Sequence, residues 1–490
     1  MSELALGVDV GTTSTKAVLV DRDGVVVASA SARHGLRKGP GVVEADPEQW
    51  WRSTRTAIGK LDPDQRSRTA VVGVSGNMSS LVVMDEDGRA VRPAILLADT
   101  RGEAEIAALP PAVRARIEDS GHNVPGTVFT LAKLLWLARN EPATLTAAAT
   151  FGAAKDFVRA RLTGVLGSEP TDAYNTLLLD RGGMTWHTEL IRECGLDSAP
   201  FPALSESDAL VGGVSVSAAA DTGLPEGVPV QAGLGDMAAA MLGAGDTEQD
   251  GSVLVSLGTS ITALVRLPDQ EFDPAWRGRL TYHPLPGGAF ALASLITGGL
   301  AINWLRSLAG EQVLREAPDE PDPDSPLVFL PHLAGAGTPE FLPAARGSVF
   351  GIEPGTSGPE LARALFEGTA FELAMAVRLA GGRRVLLSGG GTHLPVWVRV
   401  ITDVLDLPAR VVDEPEVSAT GAARLAWRAL GVRCPAPTGY RELRPRPEFR
   451  AAWRARSARY ARAREAAFAH YLKESADEQK EGSLDSHGHR

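Results

Sequence analysis

Ten residues near the amino terminus constrain this chain most: Gly7-Val8-Asp9-Val10-Gly11-Thr12-Thr13-Ser14-Thr15-Lys16. They lie between the apolar runs Leu4–Val8 and Ala17–Val20 and read as strand, tight turn and strand. Small residues fill the turn, so backbone amides and hydroxyls can approach an anion closely. Asp9 stands just before it. A carboxylate beside a bound phosphate is repelled unless a cation lies between them. Mg2+ suits that place, because it takes oxygen ligands and bridges phosphate to one or two carboxylates. Read alone, the stretch could equally be a hairpin whose Gly and Thr residues only form the turn.

A second stretch repeats the pattern. Val253-Leu254-Val255-Ser256-Leu257-Gly258-Thr259-Ser260 leads into Ile261–Val265, another strand by composition. Ser256 stands where the first stretch has Asp9. Two such hairpins, one in each half, imply a duplicated domain with two phosphate turns facing each other across a cleft. One metal-directing carboxylate is enough for such a clamp.

The 490 residues exceed one ordinary core and predict two to four domains. A net charge of -11 argues against general nucleic-acid binding. Cys194 and Cys434 are the only cysteines, too few for a disulfide framework or a zinc site, and fit a reducing cytoplasm. The start carries acidic Glu3 and no basic region, unlike a secretory leader, and no apolar run reaches membrane-span length.

Asp46-Pro47 opens a helix bearing Trp50 and Trp51, because a capping residue followed by Pro is a start signal. Thr69–Ser75 and Leu81–Met84 read as buried strands, and 131–139 as a helix with Leu134, Leu135 and Trp136 toward a core. The first domain is expected over 1–245 and the second over 246–472, with 473–490 a polar, disordered tail. Alternating strands and helices predict an α/β architecture with ligands gathered at strand ends.

Three more segments can carry chemistry. In Gly233-Leu234-Gly235-Asp236, glycines release a strand and Asp236 begins an alanine-rich helix. Alone it reads as a helix cap. Beside two phosphate turns it reads as the group that accepts a hydroxyl proton in phosphoryl transfer. Ser388-Gly389-Gly390-Gly391 follows a strand and lets backbone approach a base or ribose. Ser418–Ala423 reads as small-residue helix packing or as the wall of an adenine pocket.

Together these segments resemble the FGGY family of carbohydrate kinases, and within it the xylulokinase branch. Asp46–Trp51, Arg92–Leu96, Lys133–Trp136, Lys155-Asp156-Phe157, Phe329-Leu330-Pro331 and Leu361–Gly368 fall in the matching order. The resemblance implies two actin-like, ribonuclease H-like domains around a central ATP and sugar cleft, and a possible homodimer. It implies that Asp9 directs Mg2+ and that Gly11, Thr12, Thr13 and Lys16 face the phosphates of ATP. Gly258 and Thr259 would face them from the other side, with Gly390 and Gly391 on the adenosine. Asp236 matches the catalytic base and a second metal-directing position. Asn77, Met78, Ser79 and Asp99 match sugar-binding positions.

Three departures from that branch fall on the sugar side. Its Gln-Met-His-Gly is Asn77-Met78-Ser79-Ser80 here, its Trp-Asn before the acidic residue is Leu97-Ala98, and its Gly-Glu-Arg-x-Pro loop is Gly335-Ala336-Gly337-Thr338-Pro339. They predict a kinase whose preferred sugar or polyol is not xylulose. The competing reading is a non-catalytic, nucleotide-dependent sensor or interaction protein on the same fold. Retention of Asp9 and Asp236 together favours the kinase.

Overall fold

The first hairpin forms where the sequence places it. In this computed structural model, residues 3–180, 184–245, 247, 249–267, 272–412, 416–435 and 439–485 are described, with side chains through 474. Strand β1 (Leu4–Val10) turns at Gly11 into β2 (Ser14–Val20), and β3 (Val26–Arg33) completes an antiparallel meander. Strand β4 (Thr69–Gly76) runs parallel to β1 on its other side. Strands β5 (Leu210–Gly213), β6 (Pro229–Gln231) and β7 (Leu234–Gly235) extend this seven-stranded sheet beyond β4.

The second half repeats the plan. Strands β8 (Ser252–Leu257), β9 (Ile261–Leu267), β10 (Thr281–Leu285) and β11 (Gly288–Leu295) are antiparallel, in the order β10-β11-β9-β8. Strands β12 (Arg384–Ser388) and β13 (Ala409–Val412) follow in parallel on the other side of β8, and β14 (Tyr440–Leu443) closes the edge. An antiparallel meander leading to parallel strands across the first strand is common to both sheets. That shared plan is the duplication expected from the two Gly-Thr turns.

Side-chain alternation then assigns the faces. Leu4, Leu6, Val8 and Val10 share a core with Trp50 and Trp51 of helix α1 (Pro47–Gly59) and with Phe157 and Val158 of α2 (Ala154–Thr163). Asp46 caps α1 by accepting the Glu48 N–H. Ala5, Gly7 and Asp9 occupy the opposite face of β1. In the second sheet, Val253, Val255 and Leu257 meet helices α4 (Gly358–Leu379) and α5 (Pro395–Leu405), while Leu254 turns the other way.

The remaining faces are covered by an exchange. Helix α3 (Asp236–Ala244) ends the first half, yet its Ala238, Met241 and Ala244 pack with Leu254, Leu264 and Leu386 of the second sheet. Helix α6 (Val417–Ala429) comes from the second half, yet its Ala419, Ala423 and Trp427 pack with Ala5, Val18 and Val71 of the first sheet. The two helices cross at glycines. A Cβ on Gly421 would lie 1.8 Å from the Ala239 carbonyl oxygen, and one on Gly243 1.8 Å from that of Val417. Helix α6 also rests on Gly7 and Gly73, register partners in β1 and β4, where a Cβ would meet Ala419 O at 1.9 Å and Ala422 O at 2.1 Å. Ser418–Ala423 is therefore a packing segment of the helix crossing.

Helix α7 (Arg450–Asp485) runs on past residue 473. Its Ala, Glu and Lys residues are strong helix formers, and nothing breaks the run before Gly482. Trp136 is half-buried and packs against the core that holds Leu134 and Leu135, with the Arg101 guanidinium 4.3 Å from its ring centroid. Among the described residues no helix is long and apolar enough to cross a membrane.

The crossing yields a test. Gly421→Ala forces backbone apart and should lower unfolding stability by about 1–3 kcal/mol in urea titration. Gly59→Ala, on a helix end with no atom within 4 Å of the added carbon, should leave the midpoint unchanged or raise it.

Candidate active site

Asp9 is buried at the end of β1 and accepts a hydrogen bond from Ser75 Oγ at 2.9 Å, across the β1–β4 register. Its other strand neighbour is Lys16. Burial raises the Asp9 pKa above the ordinary 3.8, against the opposing pull of Lys16 and Ser75. Lys16 Nζ lies 2.8 Å from Glu416, the residue that starts α6. Burial opposes the ammonium, but Glu416, Asp9 and Asp236 outweigh it and its pKa is raised. Thr12 and Thr13 are exposed at the turn. His34 braces the turn from behind: its N–H donates to Thr13 O at 3.0 Å and its Nε2 lies 3.1 Å from Gly11 O.

Asp236 is the first residue of α3, and Gly235 occupies the cap position. Its side chain is therefore not the helix cap that the isolated motif suggests. Oδ1 accepts its neighbour Met237's N–H at 2.8 Å. Burial pushes the Asp236 pKa up to about 8, with the charges of Asp9 and then Asp172 adding to it. Asp9, Lys16 and Asp236, separated by more than two hundred residues in sequence, thus act on one another electrostatically.

Beneath Asp236 lies a buried charge cluster. Lys155 Nζ contacts Asp156 Oδ1 at 2.7 Å, Asp172 Oδ2 at 3.1 Å and Glu169 Oε1 at 3.2 Å, all in the interior. Burial is the main reason the Asp172 pKa is pushed up to about 7, with Glu169 and Asp156 repelling its charge and Lys155 favouring it. Lys155-Asp156 was legible as a family segment, but Glu169, Thr171 and Asp172 were not. Their only sequence signal is a cluster of acids around Pro170.

On the opposite wall, Gly258 and Thr259 join Gly390 and Gly391 around a cavity of about 400 Å3 floored by Trp397. A Cβ on Gly391 would lie 2.4 Å from the Trp397 ring, so only glycine lets the backbone lie this close. Gly299, at the start of the helix Gly299–Ala309, would place a Cβ 2.4 Å from Gly258 O. This third glycine turn was missed, although Gly298-Gly299 before a helical run was its signal.

The sugar-side residues are less uniform. Asn77 Nδ2 donates to Val10 O at 2.9 Å, so it ties the end of β1 to the end of β4. Met78 packs on Gly235, 2.8 Å from where a Cβ would be. Ser79 is buried with φ 58°, an uncommon conformation for a residue with a side chain. The Asp99 carboxylate is already engaged: it accepts Val43 N–H at 2.9 Å, Arg101 N–H at 3.1 Å and the Arg101 guanidinium at 2.9–3.1 Å. Arg101 is shared with Glu44 at 2.7 Å. The structure thus brings Asn77, Met78 and Asp236 into one neighbourhood and holds Asp99 in an arginine ladder.

The residues present fit a hard divalent cation. Asp9 is buried and Asp236 half-buried, and their charges repel, which is the arrangement a cation relieves. Among the described residues no group of three His, Cys, Asp or Glu could hold a metal unaided. One or two carboxylates are the protein ligands that Mg2+ takes, its shell being completed by phosphate and water.

Two duplicated sheets joined by exchanged helices, with paired carboxylates on one wall of a cleft and glycine turns on the other, define a carbohydrate kinase of the actin-like class. The chain belongs to the FGGY family of carbohydrate kinases: its N-terminal domain matches residues 4–243 and its C-terminal domain residues 253–430. Xylulose kinase of Escherichia coli is 32% identical over 435 residues, covering 86% of this chain and 89% of that one. Xylulose kinase of Bacillus subtilis is 30% identical over 86% of this chain and 87% of its own. The crystal structure of xylulose kinase from Rhodospirillum rubrum superposes with a TM-score of 0.85 at 28% identity, covering 96% of this chain and all of that one. The sensor reading gives way to an enzyme.

The raised pKa of Asp236 has a stability consequence. Folding lifts it from 3.8 to about 8, so the folded chain keeps a proton that the unfolded chain releases between those values. Stability from this group therefore falls as pH rises through that window. Asp236→Asn should raise the melting temperature of ligand-free, Mg2+-free protein more at pH 8 than at pH 5. An equal shift at both pH values would remove the buried proton.

Proposed function

We propose that this chain transfers the γ-phosphoryl group of ATP to a hydroxyl of a small sugar or polyol, with Asp236 as general base. The observation that carries this reading is the Asp236 carboxyl, held at the first turn of α3 where its charge and that of Asp9 act on each other. A carboxylate fixed at a helix start can accept a hydroxyl proton as the phosphoryl group is transferred. The first domain, 1–245, supplies the sugar side and Asp236, and the second, 246–472, the nucleotide cavity. Asp9 and Asp236 would hold Mg2+, which when bound offsets the charge of the phosphates.

The chain's own residues divide the remaining work. Thr12 and Thr13 present hydroxyls and amides at one turn, and Gly258 and Thr259 at the other. Lys16 has Glu416 and Asp9 as anionic neighbours and supplies positive charge beside the Gly-Thr turn. Gly390 and Gly391 admit the adenosine over Trp397. Closure of the cleft excludes water, which would compete with the sugar hydroxyl.

The similarity to xylulose kinases supports a ketose-like acceptor. The local chemistry argues for a different one from xylulose. Ser79 carries no charge at the position matching the branch's His, and Asp99 is already engaged by Arg101. A site that hydrogen-bonds one hydroxyl pattern discriminates strongly when its donors change.

Asp236→Asn is nearly isosteric and should lower kcat about 10²–10⁴-fold. More than a tenth of the parental rate would remove Asp236 from the base role. Asp9→Ala should raise the Mg2+ concentration needed for half-maximal activity while leaving the sugar KM near that of the parent. In a coupled ADP-release panel of pentuloses, hexuloses and polyols, another substrate should exceed xylulose in kcat/KM. Xylulose as the best substrate at about 10⁴ M⁻¹s⁻¹ or above would show that neighbouring residues compensate for the altered positions.

A further inference from the structure

We propose that Thr171, oriented by Glu169, is a positioning residue for Asp236; the proposal rests on the reading of Asp236 as the proton acceptor. Gly235 precedes Asp236 and occupies the cap position of α3 without a side chain to anchor it. Its N–H donates to Thr171 Oγ1 at 2.7 Å. The Thr171 hydroxyl donates its own proton to Glu169 Oε1, also at 2.7 Å. A hydroxyl has one hydrogen, so committing it to Glu169 leaves a lone pair for the Gly235 amide. The orientation of this bond is therefore fixed by the carboxylate behind it.

Glu169 is itself immobilised. It is fully buried, accepts Thr171 N–H at 2.9 Å, Asp172 N–H at 3.0 Å and Ser207 Oγ at 2.6 Å, and faces Lys155 Nζ at 3.2 Å. The polar chain thus runs from Lys155 through Glu169 and Thr171 to the amide of Gly235, the residue before Asp236. Gly235 is confined on its other side too: an added Cβ would lie 2.8 Å from Met78 Cγ and 3.5 Å from Asp172 Oδ1. Gripped between Thr171 and Met78, the backbone at Gly235 has one place to be, and that place sets where the Asp236 carboxylate starts. Displacement of a reacting group by about 1 Å can cost about 10²-fold in rate.

Thr171→Val keeps the side-chain shape and removes the hydroxyl, and Thr171→Ser restores it. With the best acceptor of the panel and saturating Mg2+-ATP, Thr171→Val should lose about 10–100-fold in kcat per folded enzyme, with both KM values within about twofold of the parent. Thr171→Ser should recover most of kcat. Folded enzyme is counted by circular dichroism and melting, so a role confined to stability would alter the melt and leave kcat per folded molecule unchanged. Asp236→Asn is measured alongside. If Asp236→Asn is inactive while Thr171→Val turns over like the parent, the positioning role is overturned and the base stands. If Asp236→Asn stays active, the base assignment fails instead. Should Thr171→Val not fold, Thr171→Ala is read by the same comparison.

Discussion

The crossing of α3 and α6 is the contact on which the rest of the molecule depends. It occurs where Gly243 and Gly421 leave no room for a side chain, so the two helices meet backbone to backbone. Each helix covers the sheet of the other half. Because α6 rests on Gly7, the next residue of β1 on that face is Asp9, just past the helix start. Because α3 begins with Asp236, its first turn opens at the same place. The close crossing therefore brings the two carboxylates together, and every polar feature of the site is arranged around that fact.

Putting carboxylates in the interior is costly unless something compensates. The structure compensates unevenly. Asp156 has both Lys155 and Arg159 beside it, at 2.7 and 3.3 Å, and its pKa is lowered. Asp9, Asp172 and Asp236 are left with raised values. These under-compensated carboxyls lie toward the cleft, where a cation would favour their charged form. Stability is conceded at the place where chemistry needs affinity.

The hairpins, the capped helix at Asp46 and the duplication were legible because they are local patterns of apolar runs, turn residues and caps. The grouping of Asp9 with Asp236 could be read only by setting the two phosphate turns beside the Gly-Asp helix start, since nothing local says that residues this far apart approach each other. The helix exchange was not legible: Ala-rich stretches carry no address, and a small residue suits any close neighbour. The engagement of Asp99 was hidden for a different reason. Asp99-Thr100-Arg101 spells both a free acid and its own counterion, and only the fold decides between them.

The exchange also bears on how the chain is made. When synthesis reaches Gly245, the first sheet has all its strands, yet Ala5, Val18 and Val71 still await Ala419, Ala423 and Trp427. At about 5–20 residues per second, translation to Ala429 takes on the order of ten to forty seconds more. Throughout that interval a nascent chain presents an apolar sheet face flanked by glycines, which is a surface that chaperones bind and other nascent chains can join. The first half thus leaves the ribosome unfinished, and its completion is timed by the synthesis of a helix encoded in the second half.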